Sequence, residues 1–262
     1  MTQQFTKSEE EQLLSTVLDV GEAMLKCGGE VSRVEDTMER ICRAYEVERV
    51  NPFVITSSIV MTIQFHDGST VTQTRRIHGN TTDFTQLEAL NHLSRSICAS
   101  PPPVAELNER YRTIMEMVKK EDTFYRNSFL AYLVAAGIFA VFFGGNLWDG
   151  LCAAVIASFI WFLDHTGRKI IDSQLLYLLL ASFLMGIGAM LLYKTGLPVH
   201  QDKIMIGDIM LLIPGLLMTN AVRDIFSGDT ISGMLRLSES LLMAGMIAAG
   251  TAGAILLMGG RG

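Results

Sequence analysis

Between Ile204 and Met258 two apolar stretches, IMIGDIMLLIPGLLMTNAV and LLMAGMIAAGTAGAILLM, flank the polar connector RDIFSGDTISGMLRLSES. Each is close to the ~20 residues that a helix needs to cross ~30 Å of hydrocarbon. The first sets Asp208 near one end and the pair Pro214-Gly215 in its middle. Hydrocarbon tolerates neither a carboxyl group nor a broken backbone ladder cheaply, so a span that keeps both has a polar path to line. That pattern points to transport. Three more stretches of the same kind give five expected spans, at about 129–143, 147–163, 175–193, 204–222 and 241–258. The second is short, which draws Trp148 and Asp149 toward an interface where both are tolerable.

Charge divides the chain. Residues 1–126 hold 33 of the 48 Asp, Glu, Lys and Arg residues. We expect a cytoplasmic α+β domain over 1–126 and a membrane domain over 127–262. The first ~25 residues are polar and helix-prone and lack the apolar core of a signal peptide. The net charge of −6 argues against a nucleic-acid partner. Four cysteines, Cys27, Cys42, Cys98 and Cys152, show neither CxxC pairing nor histidines at metal spacing, so reduced thiols and no metal or cofactor are expected.

Within the first part, apolar residues recur at helical spacing from Ser8 to Cys27 and stop at Gly28-Gly29, a natural helix C-terminus. A glycine pair can also cradle phosphate, but no Walker spacing accompanies it. A second helix is expected from about Arg33, with Ser32 and Glu35 as a capping box. From Val50 to Ile77 the period changes to two and β-branched residues dominate. Asp67-Gly68 between the runs predicts a β-hairpin with a type I′ turn, with room for a third strand broken around Thr56 to Ser58. Helices over 83–99 and 104–120 follow, separated by Pro101-Pro102-Pro103, and KKEDTFYRN places cations and Tyr125 at headgroup level. His66, His78 and His92 lack a second ligand at i+3 or i+4 and read as surface or hydrogen-bonded histidines.

Lys119, Lys120, Arg126, Arg168, Lys169, Arg223 and Arg236 fall on one side of the spans, and Lys194, Lys203 and Arg261 on the other. The excess puts the first group in the cytoplasm, the N-terminus with it and the C-terminus outside. Gly245, Ala249 and Gly253 form a small-residue stripe in the last span, and Ser182 and Gly186 another in the third, both suited to close helix packing. Five spans is an odd number for transporters built from two related halves, so a partner or a homo-oligomer is implied.

Several polar groups are candidates for the substrate or proton pathway. Asp208 reads as a proton or substrate-amine site, or else as an interfacial acid one turn inside the outer edge. Pro214 removes a donor and Gly215 loosens the turn, so freed carbonyls could ligate a cation or ammonium; the alternative is a kink that only shapes packing. Asn220, Arg223 and Asp224 cluster at the expected cytoplasmic end. Arg223 can take a carboxylate with two parallel hydrogen bonds, or can serve as a positive-inside anchor. Asp229 and Arg236 lie in the connector, expected to be a cytoplasmic loop and gate or a loop capped by Asp229. Asp149 and Glu239 are secondary candidates, while Asp164, His165 and Asp172 read as solvated.

GEAMLKCGGEVSRVEDTMERI, the hairpin ending in TQTRRI, GNLWDG, and above all LLIPGLLMTNAVRDIFSGDTISGMLR resemble the N-terminal half of the threonine/serine exporter family. The resemblance covers nearly the whole chain. It implies an α-helical polytopic membrane protein with five transmembrane helices and an N-terminal cytoplasmic α/β domain containing a β-hairpin, acting as a secondary, proton-motive-force-driven exporter in the bacterial inner membrane. It also implies the split form, in which a smaller membrane subunit supplies the second half, and substrates that are threonine and serine or, as in one split-form pair, succinate. An enzyme reading would need a nucleophile with its base or a metal set, and none stands out in 1–126. A sensor reading leaves the intramembrane acid and the Pro-Gly break unexplained.

Overall fold

A computed structural model describes residues 5–79, 81–119, 123–167, 171 and 173–259. Lys120, Arg168, Lys169, Asp172 and Arg261, used above for orientation and solvation, lie outside the described residues, as do the side chains of Lys119, Tyr125 and Arg126. In chain order the elements are α1 (Lys7–Lys26), α2 (Val31–Ala44), β1 (Arg49–Ile55), β2 (Ser58–Gln64), β3 (Thr70–Arg76), α3 (Phe84–Ala99), α4 (Val104–Lys119), α5 (Thr123–Phe142), α6 (Leu147–Gly167), α7 (Gln174–Lys194), α8 (Gln201–Leu212), α9 (Gly215–Phe226) and α10 (Thr230–Gly259). They form two compact units. One holds residues 1–121 and 216–237, the other 122–215 and 238–262.

In the first unit the amphipathic period of α1 buries Leu13, Leu14, Val17, Leu18, Met24 and Leu25 against Val34, Met38 and Ile41 of α2. The helix opens on a capping box in which the Thr6 N–H donates to Glu9 Oε2 at 2.8 Å and the Glu9 N–H to Thr6 Oγ1 at 3.3 Å. The sheet is a three-stranded antiparallel meander, so the break at Thr56-Ser57 joins two strands, with Ile55 opposite Ser58 and Gln64 opposite Thr70. The buried residues Ile59, Met61 and Ile63 alternate along β2 and complete the core.

Two details of the sequence reading are corrected here. The β2–β3 turn is not type I′. Only Gly68 takes a positive φ, +85°, while Phe65 donates its N–H to Ser69 O and Gly68 donates back to Phe65 O, both at 2.9 Å. A three-residue loop with one left-handed glycine needs no such strain at Asp67. The second correction is at α2, which starts at Val31 without a Ser32–Glu35 capping box. Its N-cap, Glu30, offers no side-chain bond, and Glu35 Oε1 instead accepts the Val54 N–H of β1 at 2.9 Å. A strand donor outside the helix has taken the acid, and the helix start is capped from elsewhere.

The second unit is helical and apolar on its outside, with Leu130, Val134, Ile138, Leu151, Val155 and Phe159 exposed. Three described helices are long and apolar enough to cross a membrane, α6, α7 and α10. A fourth is obtained if α8 and α9 count as one span bent by 56°, and α5 offers a shorter apolar stretch, Ser128–Phe142. The bend falls at Pro214, which brings no N–H to the ladder; the Gly215 N–H turns to Ile213 O at 2.8 Å. The expected connector loop shrinks to Ser227–Asp229, because α10 already begins at Thr230. Close packing of α7 on α10 uses Ser182 and Gly186 as expected, but the facing residues are Gly250 and Ala254. A Cβ at Gly250 would lie 2.4 Å from Leu179 O, whereas Gly245 has nothing within 4 Å. Both stripes on α10 are small, and only the neighbouring helix decides which one is used. Asp164 is not simply solvated, since the Tyr132 hydroxyl donates to it at 3.3 Å.

Candidate functional site

In the first unit the turn between α1 and α2 meets α9 and the start of α10. After Lys26 the chain reverses through Gly28 at φ +90°, a conformation that glycine adopts without a Cβ penalty. This leaves the carbonyls of Gly28 and Gly29 and the N–H of Val31 without intrahelical partners. Side chains remote in sequence supply them. Asn220 Nδ2 donates to Gly28 O at 2.9 Å, Arg236 Nη2 to Gly29 O at 2.8 Å, and Val31 N–H donates to Asp224 Oδ1 at 3.2 Å. Arg236 Nη1 donates to Asp224 Oδ2 at 2.8 Å, with side chains 5% and 0% exposed. Arg223 pairs with Glu30 at 2.5 Å toward the surface.

Asp224 therefore caps α2 across the fold and neutralises Arg236 at once. A buried carboxylate with two donors and an adjacent guanidinium is a satisfied group, and its partners are held in one register. Asp229 sits at the N-cap of α10, its carbonyl accepting the Gly233 N–H at 2.9 Å while its own N–H donates to Asp224 O at 2.9 Å. Burial pushes its carboxyl above the usual aspartate range.

The remaining candidates belong to the second unit. Asp149 is fully buried at the first turn of α6. It closes a reciprocal cap with Asn146, at 2.7 and 2.9 Å, and accepts the backbone N–H of His200 at 2.6 Å and contacts its Nδ1 at 3.0 Å. Its capacity is used in pinning the start of α6 to the start of α8, a positioning task. Asp208 differs. It too is fully buried, on α8 where that helix packs against α5, α6 and α7, but neither carboxyl oxygen has a partner among the described residues. Next to it, Gly207 lets α5 approach so closely that a Cβ would lie 2.6 Å from Ala136 O. Pro214 and Gly215 form the bend, and Glu239 on α10 is half-buried.

The structure thus gathers Asn220, Arg223, Asp224, Asp229 and Arg236 around one turn and leaves Asp208 as a lone buried acid in the other unit. Sequence reasoning missed Gly28, Gly29 and Glu30 as partners, and His200 as the partner of Asp149. The available signal is the run GGE directly after a helix, which by itself names no partner for its carbonyls. Among the described residues no group of three or more His, Cys, Asp or Glu is placed to hold a metal.

The family described as "Putative threonine/serine exporter" matches residues 15–258. The chain belongs to the threonine/serine exporter family. Among relatives of this exporter-family chain, a "Probable threonine/serine exporter" of Mycobacterium tuberculosis is 24% identical over 247 residues, covering 91% of this chain and 45% of the relative. The "Threonine/serine exporter" of Corynebacterium glutamicum is 27% identical over 177 residues, 64% of this chain and 35% of the relative. The chain therefore spans less than half the length of these two. A "Probable succinate transporter subunit YjjP" of Escherichia coli is 22% identical over 249 residues, 94% of each chain. No solved structure matches. The family is one of transporters, and the apolar helices fit a multi-pass membrane protein.

Proposed function

We propose that the chain is one subunit of a secondary, proton-motive-force-driven exporter of small polar metabolites in the bacterial inner membrane, with threonine and serine as substrates. The observation that carries this reading is Asp208, a carboxyl group buried without a partner among the described residues, in a helix that ends at a Pro-Gly bend. No hydrogen-bond partner among the described residues stabilises an ionised carboxylate there, which suits the group to taking up and releasing a proton or a substrate ammonium. Loading and release of that proton is what coupling to a proton gradient requires. Five spans then follow from α5, α6, α7, the bent α8–α9 pair and α10, with the N-terminus in the cytoplasm and the C-terminus outside.

A smaller membrane subunit supplies the second half. Support comes from the match of 94% of this chain to 94% of a protein named as a transporter subunit. That subunit's name also supports a second reading, export of a dicarboxylate such as succinate. The test is efflux of preloaded labelled threonine and succinate from cells holding this chain with and without the partner subunit, before and after a protonophore. Protonophore-sensitive threonine efflux that needs both chains is expected, and Asp208→Asn is expected to abolish it while both chains still insert. Undiminished efflux in that variant would remove Asp208 from the mechanism.

A further inference from the structure

In the first unit a cavity of about 370 Å³ opens beside the turn between α1 and α2. That volume is within the range of roughly 300–1,000 Å³ typical of small-molecule sites. Its wall carries three cations, Arg33 from the first turn of α2, Arg223 from α9 and Arg236 from α10, and one carboxylate, Glu30. Arg236 is consumed by Asp224 and Gly29 O. Arg33 makes no ion pair or hydrogen bond among the described residues, and it is exposed. Arg223 is paired with Glu30, yet its side chain stays 60% exposed. Thr81, Thr82 and Asn91 add neutral hydrogen-bonding groups, and Leu25, Leu87 and Leu217 an apolar wall.

We infer that this cavity binds a small α-amino acid as its zwitterion, with Arg33 and Arg223 taking the carboxylate and Glu30 the ammonium group. In the free protein Arg223 and Glu30 neutralise each other at the cavity wall. A zwitterion entering between them replaces one ion pair by two charge-assisted contacts, and Arg33 adds a third. A dicarboxylate finds the same arginines but brings its second negative charge against Glu30, a repulsive element that discriminates by charge. A neutral polyol gains neither contact. The cavity is thus a recognition site built by residues of the N-terminal part together with α9. Its role as the site where exported substrate is first held rests on the exporter reading, but binding itself does not.

Direct binding to the purified full-length chain in detergent, without its partner, separates the two questions. Threonine, serine, succinate and glycerol are titrated calorimetrically into wild type, Glu30→Gln and Arg33→Ala. Threonine and serine are expected to bind and succinate and glycerol not to. Arg33→Ala, at an exposed position whose loss leaves the core intact, is expected to weaken threonine binding about tenfold or more. Glu30→Gln is expected to weaken threonine and to let succinate bind. Succinate binding to wild type at least as tightly as threonine would overturn the assignment of Glu30. No binding of any probe, or threonine binding unchanged in both variants, would overturn the site, and the exporter reading would stand if efflux with the partner persisted. Binding as described without any efflux would leave the site and sink the exporter reading.

Discussion

Removing the guanidinium of Arg236 tests whether the Asp224–Arg236–Gly29 arrangement holds the first unit together. Arg236→Ala leaves the Asp224 carboxylate, itself fully buried, with the Val31 N–H as its remaining donor among the described residues. Stranding one member of a buried pair costs about 3–5 kcal/mol, and the Gly29 carbonyl loses its donor for about 1 kcal/mol more. At about 2–4 °C per kcal/mol for a unit of this size, the transition should fall by roughly 8–24 °C. Tryptophan fluorescence would miss it, because both tryptophans, Trp148 and Trp161, lie in the second unit. Cys27 and Cys42 lie buried in the first. The temperature at which each becomes alkylated, resolved by mass spectrometry, therefore reports this unit alone.

The double variant Asp224→Asn with Arg236→Gln removes both charges and keeps an amide oxygen for Val31. Its transition should lie above that of Arg236→Ala, with a coupling of about 2–3 kcal/mol in the cycle built from Asp224→Asn and Arg236→Gln. Additive single effects, or a shift below about 4 °C for Arg236→Ala, would refute the reasoning, since a pair that costs so little to break cannot be dry.

Three further outcomes are expected. Burial raises the Glu35 carboxyl above its ordinary 4.5, the bond from Val54 N–H counters part of this, and Asp229 and Glu39 push it further up. In the folded chain this acid keeps a proton that the unfolded chain has lost, so it costs stability as pH rises through that window; Glu35→Gln, which keeps the acceptor for Val54, should match wild type near pH 4 and melt higher at pH 7, and a gap that does not change with pH would contradict this. Of the four thiols only Cys98 is exposed, and burial pushes Cys27 up to about 11; brief alkylation of the native chain at pH 7.5 should modify Cys98 alone, and early loss of Cys27 would show that the turn beside it is open. Gly250→Ala should destabilise the second unit by about 1–3 kcal/mol through its clash with Leu179 O, while Gly245→Ala, with open space around it, should be neutral or gain up to about 1 kcal/mol of helix propensity, and equal effects at the two positions would mean that α10 presents another face to α7.

What could be foreseen and what could not separate by the distance over which the decisive interaction acts. Helical period, the change to period two after Val50 and the apolar lengths are local signals, and the strands and helices follow them closely. Asp67-Gly68 places the turn but not its type, because the dipeptide fixes where φ is positive at glycine but not how many residues close the loop. Gly228, Asp229 and Gly233 at turn spacing make the connector read as a loop, and nothing local shows that its charges leave solvent. In fact Asp224 and Arg236 are buried, and what keeps them so is each other and a turn 193 and 207 residues away in sequence. Charge alone could not tell solvated from mutually satisfied. The same logic separates the two acids of the second unit, since both are buried, and Asn146 and His200 make Asp149 a cap while Asp208 is left without a hydrogen-bond partner among the described residues. Asp208 is therefore the exception to hydrogen-bond satisfaction among the buried charges described, an exception that becomes visible only once the others have been matched to their partners.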